Sequence, residues 1–221
     1  MSFPVNEKGG WIVPANTKFE KPINVPPYSC FGSDCVFFER TVFGEYCTFS
    51  SNCNFVAQCA FNSSCRFGTD CTFSYGCTFD SYCRFDSNCK FNSDCVFNDC
   101  CNFGNDCNFN SFCELGRYSC FGAGCKFGES CRLGAFCTFD GPCYFSVSNT
   151  FSEGTTPPKG STFRYSEISS NANETIKCTE DTFVLNAFLA LSGVDGSGRQ
   201  VRLMLHNDEV SVAAGCFFGT V

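Results

Sequence analysis

From residue 31 to residue 145 a bulky apolar side chain recurs at every sixth position, Phe in eighteen of twenty cases and Leu at Leu115 and Leu133. Two residues before each stands a small side chain. It is Cys seventeen times, and Ser29, Thr41 or Ser119 otherwise. Residues i and i−2 of a strand point to the same side, so Phe and Cys share one inward face. The residue after Phe is Gly, Asn, Asp or Ser in eighteen of twenty repeats, with Phe38 and Val56 as exceptions. Those residue types tolerate left-handed or turn backbone, which places the expected corner directly after each Phe. Each repeat therefore predicts a short strand and a corner. A fixed short period predicts an all-β solenoid, in which every unit buries its apolar side only against its neighbours.

The pattern F-[GNDS]-x-x-C-x resembles the hexapeptide signature of the left-handed parallel β-helix, with Phe for the usual aliphatic residue and Cys for the usual small one. The resemblance covers residues 31–151 and implies three hexapeptides, 18 residues, per triangular coil. The left hand is implied by the resemblance alone, since parallel crossovers in general are right-handed. An 18-residue coil stacks residues 18 apart, and the columns are ordered accordingly. One reads Asp34, Asn52, Asp70, Asn88, Asp106; another reads Ser33, Ser51, Thr69, Ser87, Asn105. A third reads Tyr28, Tyr46, Ser64, Tyr82, Cys100, Tyr118, Phe136. Strands stack about 4.8 Å apart, so alternation of Asp with Asn holds like charges about 10 Å apart, near the screening length.

Residues 1–30 continue the register with Val13, Phe19 and Val25 but carry Pro14, Pro22, Pro26 and Pro27. Proline cannot donate to a ladder, so this stretch is expected to be a cap on the first rung. Residues 152–173, with Glu153-Gly-Thr-Thr-Pro-Pro-Lys-Gly160, read as a linker. Residues 174–221 change grammar. Alternation over Phe183–Leu191, Val201–Leu205 and Val210–Val212, with turns at Gly193–Gly198 and Asn207-Asp208, predicts a small antiparallel meander. A lone three-stranded sheet is marginal, so the meander is expected to cap the last coil or to mediate homo-oligomer contacts.

Composition narrows the chemistry. The N-terminus lacks a basic stretch followed by an apolar run, and no apolar segment is long enough to span a bilayer. The expected location is the cytoplasm, where thiols stay reduced. The C-x5-C spacing sends successive cysteines to different faces, unlike zinc ligand pairs. The inward cysteines are thus read as small buried hydrophobes, and no metal site or cofactor is expected. Cys100 and Cys120 lie off the inward register and are the candidate reactive thiols.

Enzymes with this repeat, acyltransferases and carbonic anhydrases among them, are implied by the resemblance to need catalytic or metal-binding His on loops. Here the repeats carry no insertion, and the single His, His206, lies in the expected meander. No enzyme activity is expected. Residues 31–151 hold 12 acidic and 7 basic side chains. That balance offers no basic stripe for nucleic acid. It also falls short of the ~19 charges of a DNA duplex ~32 Å long, which weakens DNA mimicry. A flat Thr array suited to ice is absent. What remains is binding or assembly. The column of Tyr28, Tyr46, Tyr82, Tyr118 and Phe136 is the candidate protein-binding edge, because Tyr joins contact area to a hydrogen-bonding tip. Aromatics that alternate with small residues would leave grooves ~10 Å apart. The plainer reading is that stacked rings pave a corner. In style, and in the ending Ala214-Gly-Cys-Phe-Phe-Gly219, the chain also resembles phage- and prophage-encoded proteins. That implies either a virion or assembly component or a factor directed at a host protein, such as an inhibitor.

Overall fold

The computed structural model describes residues 2–146 and 148–164 and, as backbone alone, 175–177, 193–194, 200–201, 204–206 and 209–211. Two-residue strands end on each inward Phe or Leu and stack into three parallel sheets, the faces of a triangular solenoid. Face I runs from Ile12–Val13 and Cys30–Phe31 to Thr138–Phe139. Face II runs from Val36–Phe37 to Thr162–Arg164, and face III from Asn24–Val25 to Thr150–Phe151. Every parallel pair is offset by 18 residues, as in Arg84 against Arg66 and Phe85 against Phe67. About eight coils result, with no helix among the described residues.

The core is a lattice of phenyl rings. Along one face the rings stack nearly parallel, Phe67 on Phe85 at 4.7 Å and 3°, and Phe85 on Phe103 at 4.9 Å and 3°. Between faces they meet edge to face, Phe79 to Phe85 at 5.1 Å and 84° and Phe85 to Phe91 at 5.0 Å and 90°. Three flat rings per coil fill the triangle, each edge aimed at a neighbour's face, the arrangement the ring quadrupole favours. Where Phe gives way to Leu, the two Leu residues are partners, Leu115 against Leu133. The N-terminal segment closes the first coil: Phe3 packs on Trp11 at 5.7 Å and on Phe19 at 5.8 Å.

The corner falls elsewhere in the repeat than residue type predicts. Positive φ occurs three residues after the inward Phe or Leu of each repeat from Phe31 to Phe145, not one, except at Pro142 after Phe139. Asp34, Tyr46, Asn52, Asp70 and Tyr82 have φ between 57° and 64°. The reason is hydrogen bonding between coils. Strand N–H groups reach back one coil, as from Arg84 to the Cys65 carbonyl (2.9 Å) and from Asp86 to the Phe67 carbonyl (2.9 Å). The N–H at the corner reaches forward, from Tyr82 to the Asp99 carbonyl at 3.1 Å. The peptide between the two turn residues must flip to do this. That flip puts the second of them in the left-handed region, as in a type II turn. Where the residue directly after Phe or Leu is Gly, it has a different duty, which is close approach. A Cβ on Gly116 would sit 2.4 Å from the Asn98 carbonyl carbon.

The cysteine column is more than small filler. Each inward thiol donates to a carbonyl 21 residues earlier, as from Cys107 Sγ to Asp86 O at 3.5 Å and from Cys113 Sγ to Asn92 O at 3.4 Å. The backbone N–H of the residue 18 earlier in turn points at the sulfur, Cys89 onto Cys107 and Cys107 onto Cys125 among them. The polar breaks in the column fill the same role. Ser29 Oγ accepts from Trp11 N (2.9 Å) and donates to Pro26 O (2.8 Å), while Thr155 Oγ1 accepts from Cys137 N (2.8 Å) and donates to Gly134 O (2.6 Å). The position requires a small group that both donates and accepts, which Cys, Ser, Thr and Asn149 satisfy. A Cys107→Ser change is therefore expected to shift stability by less than ~1 kcal/mol. Cys107→Val, of similar volume but mute, is expected to cost ~1–3 kcal/mol by orphaning a buried N–H and carbonyl. Urea titration of the two variants checks this.

Most of the inward thiols are held neutral. A hydrogen bond to Cys125, followed by burial, pushes the Cys107 thiol up to about 12. A hydrogen bond to Cys77 and then burial likewise raise Cys59. Where thiols run in series, the bond a pair shares favours ionising one member, as at Cys71 and Cys125. No cation lies in that apolar core to hold a thiolate, so upward is the direction for the column as a whole.

The coil register continues past Phe151 into the stretch expected to be a linker. Thr155 and Ser161 are buried at the cysteine position, and Phe163 is buried at the phenylalanine position. Thr175–Lys177 then pairs antiparallel with Thr162–Arg164 at the end of face II. Two antiparallel pairings follow, Gly193–Val194 with Gln200–Val201 and Met204–His206 with Glu209–Ser211. The expected first meander strand, 183–191, lies outside the described residues, as do Cys178, Cys216 and the Phe217-Phe218 end. No helix among the described residues is long and apolar enough to cross a membrane.

Candidate protein-binding corner

The three corners of the triangle carry three different left-handed columns. One holds Asn16, Asp34, Asn52, Asp70, Asn88, Asp106 and Gly124. Asn, Asp and Gly are the residues that enter this backbone region at least cost, so the Asp/Asn ladder is explained by the turn it makes. A second holds Arg40, Gln58, Gly76, Asp94, Phe112, Ser130 and Ser148. The third is the aromatic column, with φ of 60°, 57°, 64°, 64°, 61°, 56° and 57° at Tyr28, Tyr46, Ser64, Tyr82, Cys100, Tyr118 and Phe136. A bulky residue at positive φ costs on the order of 1–3 kcal/mol, and such outliers concentrate where function holds them. Five aromatics at one corner are opposed by backbone preference at every step.

They also gain little from burial. Tyr82 is 65% exposed, Tyr118 55%, Tyr46 47% and Phe136 44%. Tyr28 is half-buried, with Lys8 Nζ 4.6 Å from its ring centroid, and belongs to the capped end. Where adjacent coils both carry a ring, the rings stack face to face: Tyr28 on Tyr46 at 5.0 Å and 2°, Tyr118 on Phe136 at 5.4 Å and 12°. Tyr82 stands between Ser64 and Cys100 with no ring on either adjacent coil.

Charges flank this edge on both sides. Two residues beyond Ser64 and Tyr82 stand Arg66 and Arg84, stacked in register on face I and exposed. On the other side Asp80 accepts from Asn98 Nδ2 (3.0 Å), Ser81 N (2.7 Å) and Ser63 Oγ (2.9 Å). Those bonds, the one from Asn98 foremost, hold its carboxyl below the usual carboxylate range. Asp99 accepts from Arg117 N at 2.8 Å.

Sequence reading located the column but not its backbone state, and it passed over Phe112, 56% exposed on the neighbouring corner at φ 62°. The Asp/Asn ladder was the available signal, because its phase in the repeat marks the left-handed position. Of the off-register thiols, Cys100 lies in the aromatic column. Cys120 lies on face I, where it accepts from Thr138 Oγ1 at 3.3 Å. His206 is placed only as backbone in its hairpin. Among the described residues no three His, Cys, Asp or Glu side chains converge to hold a metal ion. Comparison with protein-family profiles, with curated proteins and with solved structures yields no match.

Proposed function

We propose that this protein is a non-enzymatic, rigid β-solenoid whose aromatic corner binds a protein partner. The observation that carries the reading is the set of large exposed rings held at positive φ, at Tyr46, Tyr82, Tyr118 and Phe136. Backbone preference favours Asn, Asp or Gly at such a corner, as in the Asp/Asn column, and the bulky rings run against it. Rings exposed at a conformational cost are a surface whose return comes from contact with something else. The left-handed coil is implied by the hexapeptide resemblance, and a phage or prophage origin by the resemblance in style and ending; both belong to the same proposal. On that view the partner is either another component of an assembly or a host protein.

The test is the triple change Tyr46→Ser, Tyr82→Ser and Tyr118→Ser. Ser64 and Ser130 already hold the same backbone region, so the variant is expected to keep its far-UV spectrum and its melting temperature within a few degrees. Affinity capture with wild-type and variant protein, read by mass spectrometry, is expected to lose the specific partner in the variant. Retention of that partner by a folded triple variant sinks the reading and moves the search to the Asp/Asn corner.

A further inference from the structure

Deepening that reading, and resting on it, we propose that the partner presents a proline-rich segment in the polyproline II conformation, whose every third residue enters slots over Ser64 and Cys100. The slots follow from the ladder. Rings on adjacent coils stack at 5.0 Å and 5.4 Å. Where a coil carries Ser64 or Cys100 instead of a ring, the rings on either side stand two coils apart, ~10 Å. One slot lies between Tyr46 and Tyr82, the other between Tyr82 and Tyr118, with Tyr82 as the shared wall. A flat ring placed midway lies ~5 Å from both neighbours, the spacing the ladder itself uses.

The two slots repeat every two coils, ~9.6 Å. A polyproline II helix repeats every three residues at 3.1 Å each, ~9.3 Å. An extended strand offers same-face side chains at ~6.7 Å or ~13 Å. An α-helix presents its face every ~5.4 Å, so alternate turns would strike rings. Only the polyproline II repeat places successive prolines in both slots without strain. Such a segment has no internal hydrogen bonds, so its carbonyls need donors. Tyr hydroxyls stand along the edge, and Arg66 and Arg84, exposed beside the Ser64 slot, are in no ion pair among the described residues.

A second copy of this chain fits less well. Only two antiparallel registers fill both slots with rings. One sets Tyr28 against Tyr118, and the other sets Tyr46 against Phe136, ring against ring at the same level.

The experiment titrates fluorescently labelled decaproline into the full chain and follows anisotropy. Saturable binding below about 1 mM is expected. Ser64→Tyr with Cys100→Tyr completes the ladder in a backbone state that five aromatics already adopt, and is expected to abolish binding while leaving the circular dichroism unchanged. Tyr82→Ser removes the shared wall and is expected to weaken binding about tenfold. Decaproline binding that survives slot filling overturns the proposal. So does absence of decaproline binding by folded protein whose captured partner is still lost in the triple Tyr variant; that result leaves the aromatic corner standing and removes only the polyproline II ligand. If a captured partner survives the triple variant, both readings fall. A concentration-dependent dimer abolished by slot filling names the second copy as occupant and also overturns the proposal.

Discussion

Raising the pH from 7 to 10 is expected to unfold the solenoid in one steep transition. The driving term is the thiol core. The sequence places seventeen cysteines at the inward position, and each is buried and free. Their ordinary value is 9.0; in the fold eleven of them are raised, to about 12 at Cys107, by thiol–thiol hydrogen bonding and burial, while the six they bond to are drawn down by the shared bond but have no cation beside them to hold the charge. A raised folded value stabilises fully below the unfolded one and is lost as pH climbs from it through the folded one. The window is therefore above pH 9, with full stability at neutral pH. One pH unit beyond 9, each raised thiol favours the unfolded chain by about 1.4 kcal/mol. Repulsion between thiolates on the unfolded chain reduces the sum. Even so, the contributions of the eleven raised thiols reach the ~5–15 kcal/mol stability of an ordinary domain. Far-UV circular dichroism against pH, with thiolate absorbance recorded in parallel, reads the coupling. Ellipticity and thiolate signal should change together, with a midpoint near pH 9–10. At neutral pH only Cys30, Cys100 and Cys120 among the described cysteines should react with a thiol reagent. Titration of the core thiols in protein that keeps its β signal would show that the column ionises in place, and the neutral-thiol account would fail.

Replacement of one central ring, Phe85→Ala, is expected to cost ~3–5 kcal/mol. Phe85 is 1% exposed, stacks on Phe67 and Phe103, and meets Phe79 and Phe91 edge to face. The cavity cannot collapse, because coil spacing is fixed by hydrogen bonds from Arg84 N and Asp86 N to the preceding coil. A drop in melting temperature of roughly 10 °C follows for a chain of this size. Phe85→Leu is the control. Leu115 and Leu133 already stand in the same register, so most of the loss should be recovered. A Phe85→Ala protein that melts within a degree or two of wild type would mean the rings are not a continuous core.

The sequence by itself determined the coil. A six-residue period in Phe and Cys leaves one inward set, and the 18-residue order of the outward columns leaves one stacking register, because each residue type recurs on its own face. The candidate edge was also legible, since Tyr28, Tyr46, Tyr82, Tyr118 and Phe136 fall in a single column. The tertiary structure decided what each position does. The left-handed turn residue is three places after Phe and not one, because the peptide that flips is the one whose N–H must bond to the next coil. Residue preference points elsewhere, to the Gly, Asn, Asp and Ser that follow Phe, where a Gly such as Gly116 permits close approach to the preceding coil. Likewise the sulfur column reads as filler until the stacking brings Cys89 N and Asp86 O within reach of Cys107 Sγ. The aromatic corner acquires its meaning only with φ known. A tyrosine on a strand face has no conformational cost, whereas Tyr82 at 64° has one. Backbone dihedrals at a corner are set by bonds to the next coil, and in the sequence only the phase of the Asp/Asn ladder marks where they fall.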